Sequence, residues 1–488
     1  MGKILFVNPE SLSPQVVTFP LRGGRRALTL HASGLRHTAS WLAGGEGFTG
    51  FDEITDVSLG SRGLKLGTLR NVLLLPRRLF LDAGAPDRLA QVVIERIGAL
   101  PDGPAQLARM AELEQLARRG GSLRATWVAI AVCVAVYGLG GLLGPNVHDE
   151  GHFGATLFFA GEYWRLVSGN FLHGGLGHLI LNVLGLWVLG DVVERPLGGS
   201  RAALIMAASA LGAMGAEALA GHEDSVGASG IVCGLAGAAL FLELRVPERL
   251  PAAWRIPRRL FFTALAVDAA ISAFVPFVAG AAHLGGFLAG ILVAWALTPR
   301  APMTAWVPFW VRGLAAAAVL LLAGTGITVA REIAGGPDVV ARRAERLLSL
   351  PAVPPVMLNN AAWMIATAPS PTQAQIQVAL RSAQRAVAQT DRADPNFLDT
   401  LAETQFLAGR SEDAIETIDE AIALVPGESY FLEQRRRFTG ERAYDDRPAP
   451  PSEPGLPGEP AEPWLDEPPQ RRLPPGHPPI EEDPGISV

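Results

Sequence analysis

Between about Thr126 and Ala330 the chain is a succession of apolar runs, each near the ~20 residues that a helix needs to cross a bilayer. In lipid every backbone N–H and C=O must be bonded inside the protein, which leaves only helices and closed barrels. Long continuous runs, rather than ten-residue alternating segments, select helices. The runs fall at roughly 125–144, 171–190, 202–220, 228–244, 260–279, 281–298 and 313–330. The predicted fold class is therefore a polytopic α-helical membrane protein. Hydrophobic residues make up 49% of the 488, and the surplus is concentrated in this stretch.

Loop charges orient the spans by the positive-inside rule. Arg118, Arg119 and Arg124 precede the first run, and Arg195 and Arg201 separate the second from the third. Arg245, Arg249, Arg255, Arg258 and Arg259 fill the fourth-to-fifth loop, and Arg300 and Arg312 follow the sixth. Of the alternate loops, 145–170 holds only Arg165, and 221–227 and 276–282 hold no basic residue. The N-terminus is expected in the cytoplasm, and an odd seventh helix carries the C-terminal region outside. MGKILFVNPE lacks an apolar core and a small-residue cleavage site, so no cleaved signal peptide is expected. Arg far outnumbers Lys, a bias of GC-rich bacterial genomes that favours the inner membrane.

Net charge is −6, and no Lys/Arg cluster is interleaved with aromatics, which argues against nucleic acid as a partner. The two cysteines, Cys133 and Cys233, both lie in apolar runs, which excludes a disulfide framework and reads as packing.

The flanks read as separate domains. Residues 1–120 show short alternating runs between Gly-rich turns, followed from Pro86 by a helix with Leu89, Val93 and Ile97 on one face. This pattern resembles bacterial pleckstrin-homology-like (PH-like) domains. The membrane core is assigned to 121–300 and the seventh helix to 301–335. In 336–440, Leu358-Asn-Asn-Ala-Ala362 recurs as Leu398-Asp-Thr-Leu-Ala402, and Ala379-Leu380 with Ala386-Val387 recurs as Ala414-Ile415 with Ala421-Ile422. Paired helices of this kind resemble tetratricopeptide repeats (TPR), whose concave surfaces take peptides, so a protein partner is expected there. From 441 to 488 the chain is rich in Pro, Glu and Asp and is expected to be disordered.

Polar residues inside membrane helices are costly and mark candidate sites. Ser229 stands among Gly227, Ala228 and Gly230 at the outer end of the fourth run. The sixth run also enters from outside and carries His283 at a similar depth, followed by Gly286 and Gly290, whose spacing admits a close helix neighbour. A serine hydroxyl needs an adjacent base to become a nucleophile, and a histidine at matched depth supplies one. In the second run His178 and Asn182 share one helix face near the same level, where hydrogen-bond donors could stabilise an oxyanion.

These residues resemble the rhomboid intramembrane serine proteases over about 125–298. The matching pieces are Trp164-Arg165, His173 with His178-Leu-Ile-Leu-Asn182, Glu194-Arg195, Gly227-Ala-Ser229-Gly230, and Ala282-His283 with Gly286 and Gly290. The resemblance implies a six-helix core, Ser229 as nucleophile and His283 as general base. It implies an oxyanion hole from His178, Asn182 and the Ser229 N–H. Trp164-Arg165 would belong to a half-embedded outer loop, and Glu194-Arg195 to structural contacts near the inner face. No acid, metal or cofactor is implied, and the substrates would be single-pass membrane proteins within the bilayer. Where the family often stacks an aromatic ring on the catalytic histidine, four residues after the nucleophile, this chain has Cys233.

Other readings fit less well. An α/β-hydrolase elbow needs Gly two residues after the serine, where Ile231 stands. A helical zinc site needs His-Glu-x-x-His, whereas in His148-Asp-Glu-Gly-His152 Asp149 follows His148 and Gly151 weakens any helix. An aspartyl protease needs two membrane carboxylates, whereas Asp268 alone lies well inside a run and reads as a structural hydrogen-bonding group. A transporter is expected to show repeated halves or helices broken at the membrane centre. The serious alternative is a rhomboid-like chaperone or adaptor without proteolysis, using the repeat region to bind protein.

Overall fold

The computed structural model describes residues 16–22, 27–37, 47–69, 72–119, 123–144, 146–256, 258–274, 279–300, 303 and 305–448. The tail expectation from residue 449 onward falls outside the described residues. Two compact units emerge, one of residues 1–132, 182–213 and 229–319, the other of 133–181, 214–228 and 320–488.

In the first unit, β1 (Val17–Pro20), β2 (Ala27–Leu30), β3 (Gly34–His37) and β4 (Gly47–Gly50) form one antiparallel sheet in chain order. β5 (Ile54–Gly60), β6 (Gly63–Thr68) and β7 (Val72–Pro76) form a second. Strand side chains alternate between faces, so Leu28 and Leu30, Leu64 and Leu66, and Leu73 and Leu75 turn inward together. Helix α1 (Ala85–Gly98) has Pro86 in its first turn and presents Leu89, Val93 and Ile97 to that core, all three fully buried. Helix α2 (Gly103–Arg119) was not singled out in the sequence. Its Gln106 amide donates to the carbonyls of Phe51 (2.7 Å) and Ile54 (2.8 Å), which ties the helix to the start of β5.

Five helices among the described residues have the length and composition to cross a membrane. They are α3 (Arg124–Leu143), α7 (Leu176–Leu197), α8 (Gly199–Ala220), α11 (Gly280–Leu297) and α12 (Phe309–Ala334), with α4 (Asn146–Gly151), α5 (Ala155–Phe159) and α6 (Arg165–Ser168) between the first two. The fourth and fifth apolar runs appear as α9 (Ser229–Arg245) and α10 (Arg258–Phe274), 17 residues each. At 1.5 Å per residue that is about 26 Å, a little under the ~30 Å of a typical hydrocarbon core. The second span begins at Leu176 rather than near 171, because 169–171 turn as a 3₁₀ segment before it.

The first unit also ties its β-domain to the loop between α9 and α10. The Ala252 N–H donates to Asp56 (3.0 Å), and the Arg255 guanidinium reaches the Thr68 carbonyl.

In the second unit α13 (Gly336–Ser349), α14 (Pro355–Ala366), α15 (Gln373–Gln389), α16 (Pro395–Leu407), α17 (Ser411–Leu424) and α18 (Ser429–Phe438) pack each against the next. Small residues at the crossings, Ala344, Ala362, Ala379, Ala383, Ala402 and Ala414, are fully buried and let the helices approach. The same core takes in Leu157 and Ala160 from the loop before α6. Helices α13–α18 therefore share a core with the segment between α3 and α7.

Candidate active site

Ser229 is the first residue of α9 and is partly exposed, while Gly227, Ala228 and Gly230 around it are buried. Gly227 has φ +121°, a backbone state that residues with a Cβ rarely adopt, and its N–H donates to the Gly169 carbonyl (2.9 Å). This turn starts α9 directly at the serine, with the helix's unpaired N–H groups at the same end.

Close contact between α9 and α11 sets the position of His283. A Cβ on Gly286 would strike the Gly230 carbonyl oxygen, and one on Gly290 would strike that of Gly234. Two glycines one turn apart thus let two backbones touch, and His283 lies one turn before Gly286 on the same helix. Its side chain is 13% exposed, and Nδ1 lies 3.0 Å from a carboxylate oxygen of Asp268 and 3.4 Å from the Ser272 hydroxyl. Asp268 and Ser272 are four residues apart on α10 and so present one face to the ring. The Cys233 sulfur joins them: donor atoms of Cys233, Asp268 and His283 all lie within 4.8 Å of one another. The sequence offered no partner for Asp268. Its separation from Ser272 by one turn was the available signal, but which helix that face meets is a tertiary fact.

On α7, Asn182 is buried and follows the half-buried His178 by one turn. His178 meets His173 edge to face, with ring centroids 5.1 Å apart. Burial, and then the neighbouring His178, push the His173 imidazole down to about 4, so it is neutral at physiological pH.

Trp164 and Arg165 open the short α6. Arg165 is fully buried: Nε donates to Glu162 (2.7 Å), and Nη1 donates to the carbonyls of His152 (2.7 Å) and Asp149 (3.2 Å). Glu162 is equally buried and also accepts from Arg343 Nε (2.7 Å) and Arg346 Nη2 (2.9 Å) of α13, while Arg343 also pairs with Glu150. Burial alone would raise the Glu162 carboxyl, but Arg165 and Arg343 outweigh it and hold the group below the usual carboxylate range. Sequence reading missed Arg343 and Arg346, which lie about 180 residues downstream of Glu162. The imidazole of His152 is pushed down to about 4 by burial and then by Arg165.

Glu194 works at the opposite end of its helix. Its carboxylate accepts from the N–H groups of Ala125 (3.0 Å) and Thr126 (2.9 Å) and from the Thr126 hydroxyl (2.7 Å). It thereby caps the N-terminus of α3 from a neighbouring helix, satisfying donors that the helix itself leaves unpaired. Arg195 pairs with Asp191 (2.6 Å) and stacks over Trp254 at 5.9 Å.

Comparison with known proteins matches residues 160–300 to the Rhomboid domain. The chain is 35% identical over 170 residues to RHOMBOID-like protein 5 of Arabidopsis thaliana, covering 33% of this chain and 53% of that protein. It is 30% identical over 185 residues to Rhomboid protease GluP of Bacillus subtilis, covering 35% and 34%. Rhomboid protease GlpG of Yersinia pestis is 30% identical over 191 residues, covering 38% and 66%. The chain thus spans between about a third and two thirds of the length of these relatives. The chain is thus a polytopic helical membrane protein that carries a rhomboid domain over residues 160–300.

Proposed function

We propose that the protein is an intramembrane serine endopeptidase that hydrolyses peptide bonds of membrane-spanning proteins. The observation that carries this reading is the glycine-mediated contact of α9 with α11, which packs the helix opened by Ser229 against the helix bearing His283. Relatives named as rhomboid proteases support the same class.

In this reading the Ser229 hydroxyl attacks the scissile carbonyl carbon, and its proton passes to Nε2 of His283. The carbonyl oxygen becomes an oxyanion, held by the Ser229 backbone N–H with His178 and Asn182; one such donor is worth about 3 kcal/mol in serine hydrolases. The intermediate collapses to an acyl-enzyme as His283 returns the proton to the departing amine. Water activated by the same histidine then releases the new carboxyl end and regenerates the serine. Gly227 and Gly230, both buried, let neighbouring backbone come close on either side of Ser229.

The domain plan follows as part of the proposal: a PH-like domain (1–120), the protease core (121–300), a seventh span (301–335) and TPR-like helices (336–440) that bind a protein partner. The N-terminus faces the cytoplasm of a bacterial inner membrane and the repeat helices face outside. The shared core of the repeat helices with Leu157 and Ala160, in the loop poor in basic residues, supports that side for them. The β-domain's contacts with the Arg-rich loop around Ala252 and Arg255 support the opposite side for it.

The deciding experiment is labelling of the detergent-solubilised full chain with a fluorophosphonate probe. Wild type labels and Ser229→Ala does not; an unlabelled wild type favours a rhomboid-like chaperone or adaptor without proteolysis.

A further inference from the structure

Three observations around His283 converge. A carboxylate, Asp268, sits inside the fifth apolar run, where an unpartnered charge is costly. That carboxylate lies 3.0 Å from Nδ1 of the histidine. The position four residues after Ser229 holds Cys233, whose short side chain offers no ring to stack on the imidazole. Asp268 lies on one helix and His283 on the next, so nothing local to the chain forces them together.

We infer that Asp268 is the positioning residue of His283, giving this protein a Ser229–His283–Asp268 arrangement in place of an aromatic support. This rests on the protease reading above.

The chemistry follows from the two ring nitrogens. With its proton on Nδ1 donated to Asp268, the imidazole keeps the Nε2 lone pair for the serine proton. Rotation of the ring about its side-chain bonds is restrained by the same contact, which substitutes for a stacking neighbour. When Nε2 takes the Ser229 proton the ring becomes positively charged, and the Asp268 carboxylate stabilises that charge without itself taking the proton. Ser272, one turn further along α10, offers a second polar contact to Nδ1 at 3.4 Å. The groups facing the ring from the packed elements are therefore Asp268 and Ser272 from α10 and Cys233 from α9. The Asp268 side chain is 36% exposed, more open than the buried carboxylate of a soluble serine protease triad, which sets the expected effect below the ~10⁴-fold loss seen there.

The test uses the full chain in proteoliposomes with a reporter membrane helix as substrate, alongside fluorophosphonate acylation rates. Asp268→Ala should lower kcat and the acylation rate together, roughly 10- to 100-fold, with KM within about twofold of wild type. Asp268→Glu, which keeps the carboxylate, should recover most of the rate. Cys233→Tyr in the Asp268→Ala background should recover part of it, because a ring restores the restraint by another route. In ¹⁵N-histidine spectra, the protonated Nδ1 signal of His283 should be lost in Asp268→Ala while thermal stability stays near wild type. A wild-type acylation rate in Asp268→Ala overturns the inference while leaving the protease reading intact. An equal loss in Asp268→Ala and Asp268→Glu, with the Nδ1 signal unchanged in both, also overturns it. A wild type that neither labels nor cleaves overturns the protease reading, and this inference with it.

Discussion

His283 and Glu162 are both polar centres enclosed by apolar side chains, and they are wired in opposite ways. Glu162 is fully buried and saturated: Arg165, Arg343 and Arg346 all reach its carboxylate, and Arg165 is further tied to two backbone carbonyls. Among the described residues, His283 meets Asp268 and Ser272 through Nδ1, with Cys233 close by. A buried carboxylate held on both oxygens by three guanidiniums has one arrangement, so it fixes the loop between α3 and α7 against α13. An imidazole held at one nitrogen keeps its direction and retains a second nitrogen for proton transfer. Saturation therefore marks structure in this protein, and one-sided tethering marks the candidate chemistry.

The largest expected effect lies at Ser229 and His283. Ser229→Ala and His283→Ala should each reduce cleavage of a reporter membrane helix below detection while expression and thermal stability remain normal. Full activity in either variant removes the dyad.

The next largest effect belongs to the saturated cluster. Glu162→Ala leaves Arg165 and Arg343 buried without their shared partner and should cost roughly 3–5 kcal/mol, read as a fall in melting temperature. Arg343→Met, which keeps the packing and leaves Glu162 paired to Arg165 and Arg346, should cost clearly less. Equal losses would mean that the cluster is not shared in the way its geometry indicates.

Gly286→Ala and Gly290→Ala should each force α11 away from α9. The expected cost is about 1–3 kcal/mol, as for overpacking of a tight core, with a fall in acylation rate. Unchanged stability and labelling would separate the His283 position from the glycine contact.

The smallest effect is in pH. Glu162 has a folded-state carboxyl below the usual range, so its contribution is present above the unfolded value and is lost as pH falls through the folded one. Asp399 in α16 behaves in the opposite sense. Burial, and then the adjacent Glu403, raise it to about 7, so its contribution is greatest below the unfolded value and fades as pH rises toward 7. Asp399→Asn should therefore raise the melting temperature of the full chain at pH 8 and change it little at pH 4. Glu162→Gln should do most damage near neutrality and little at pH 3. A melting profile of either variant parallel to wild type across that range would contradict the opposed signs.

Much of the architecture is readable along the chain, because hydrophobicity and helix geometry are local. The membrane runs, the inward faces of β2, β6 and β7, the Leu89-Val93-Ile97 stripe of α1 and the small-residue crossings of the repeats all follow from period and composition. The Ser229 cluster and the Gly286/Gly290 pair were also visible, since glycine one turn apart in an apolar helix has few other uses. Asp268 was visible as an anomaly but had no partner, because an orphan carboxylate acquires meaning only from the helix it faces. The pairing of Glu194 with the start of α3, some 70 residues earlier, was hidden for the same reason. Arg343 and Arg346 stood out by nothing along the chain, because their partner Glu162 lies about 180 residues earlier.

Burial in lipid acts on each segment separately, so the chain alone identifies a multi-span helical membrane protein and the residues that are candidates for its chemistry. That Asp268 meets His283, and that α13 clamps the loop bearing Arg165, emerges only once the helices are packed. Such contacts depend on which helix faces come together, and a polar group's partner is set by that packing rather than by its neighbours in the chain.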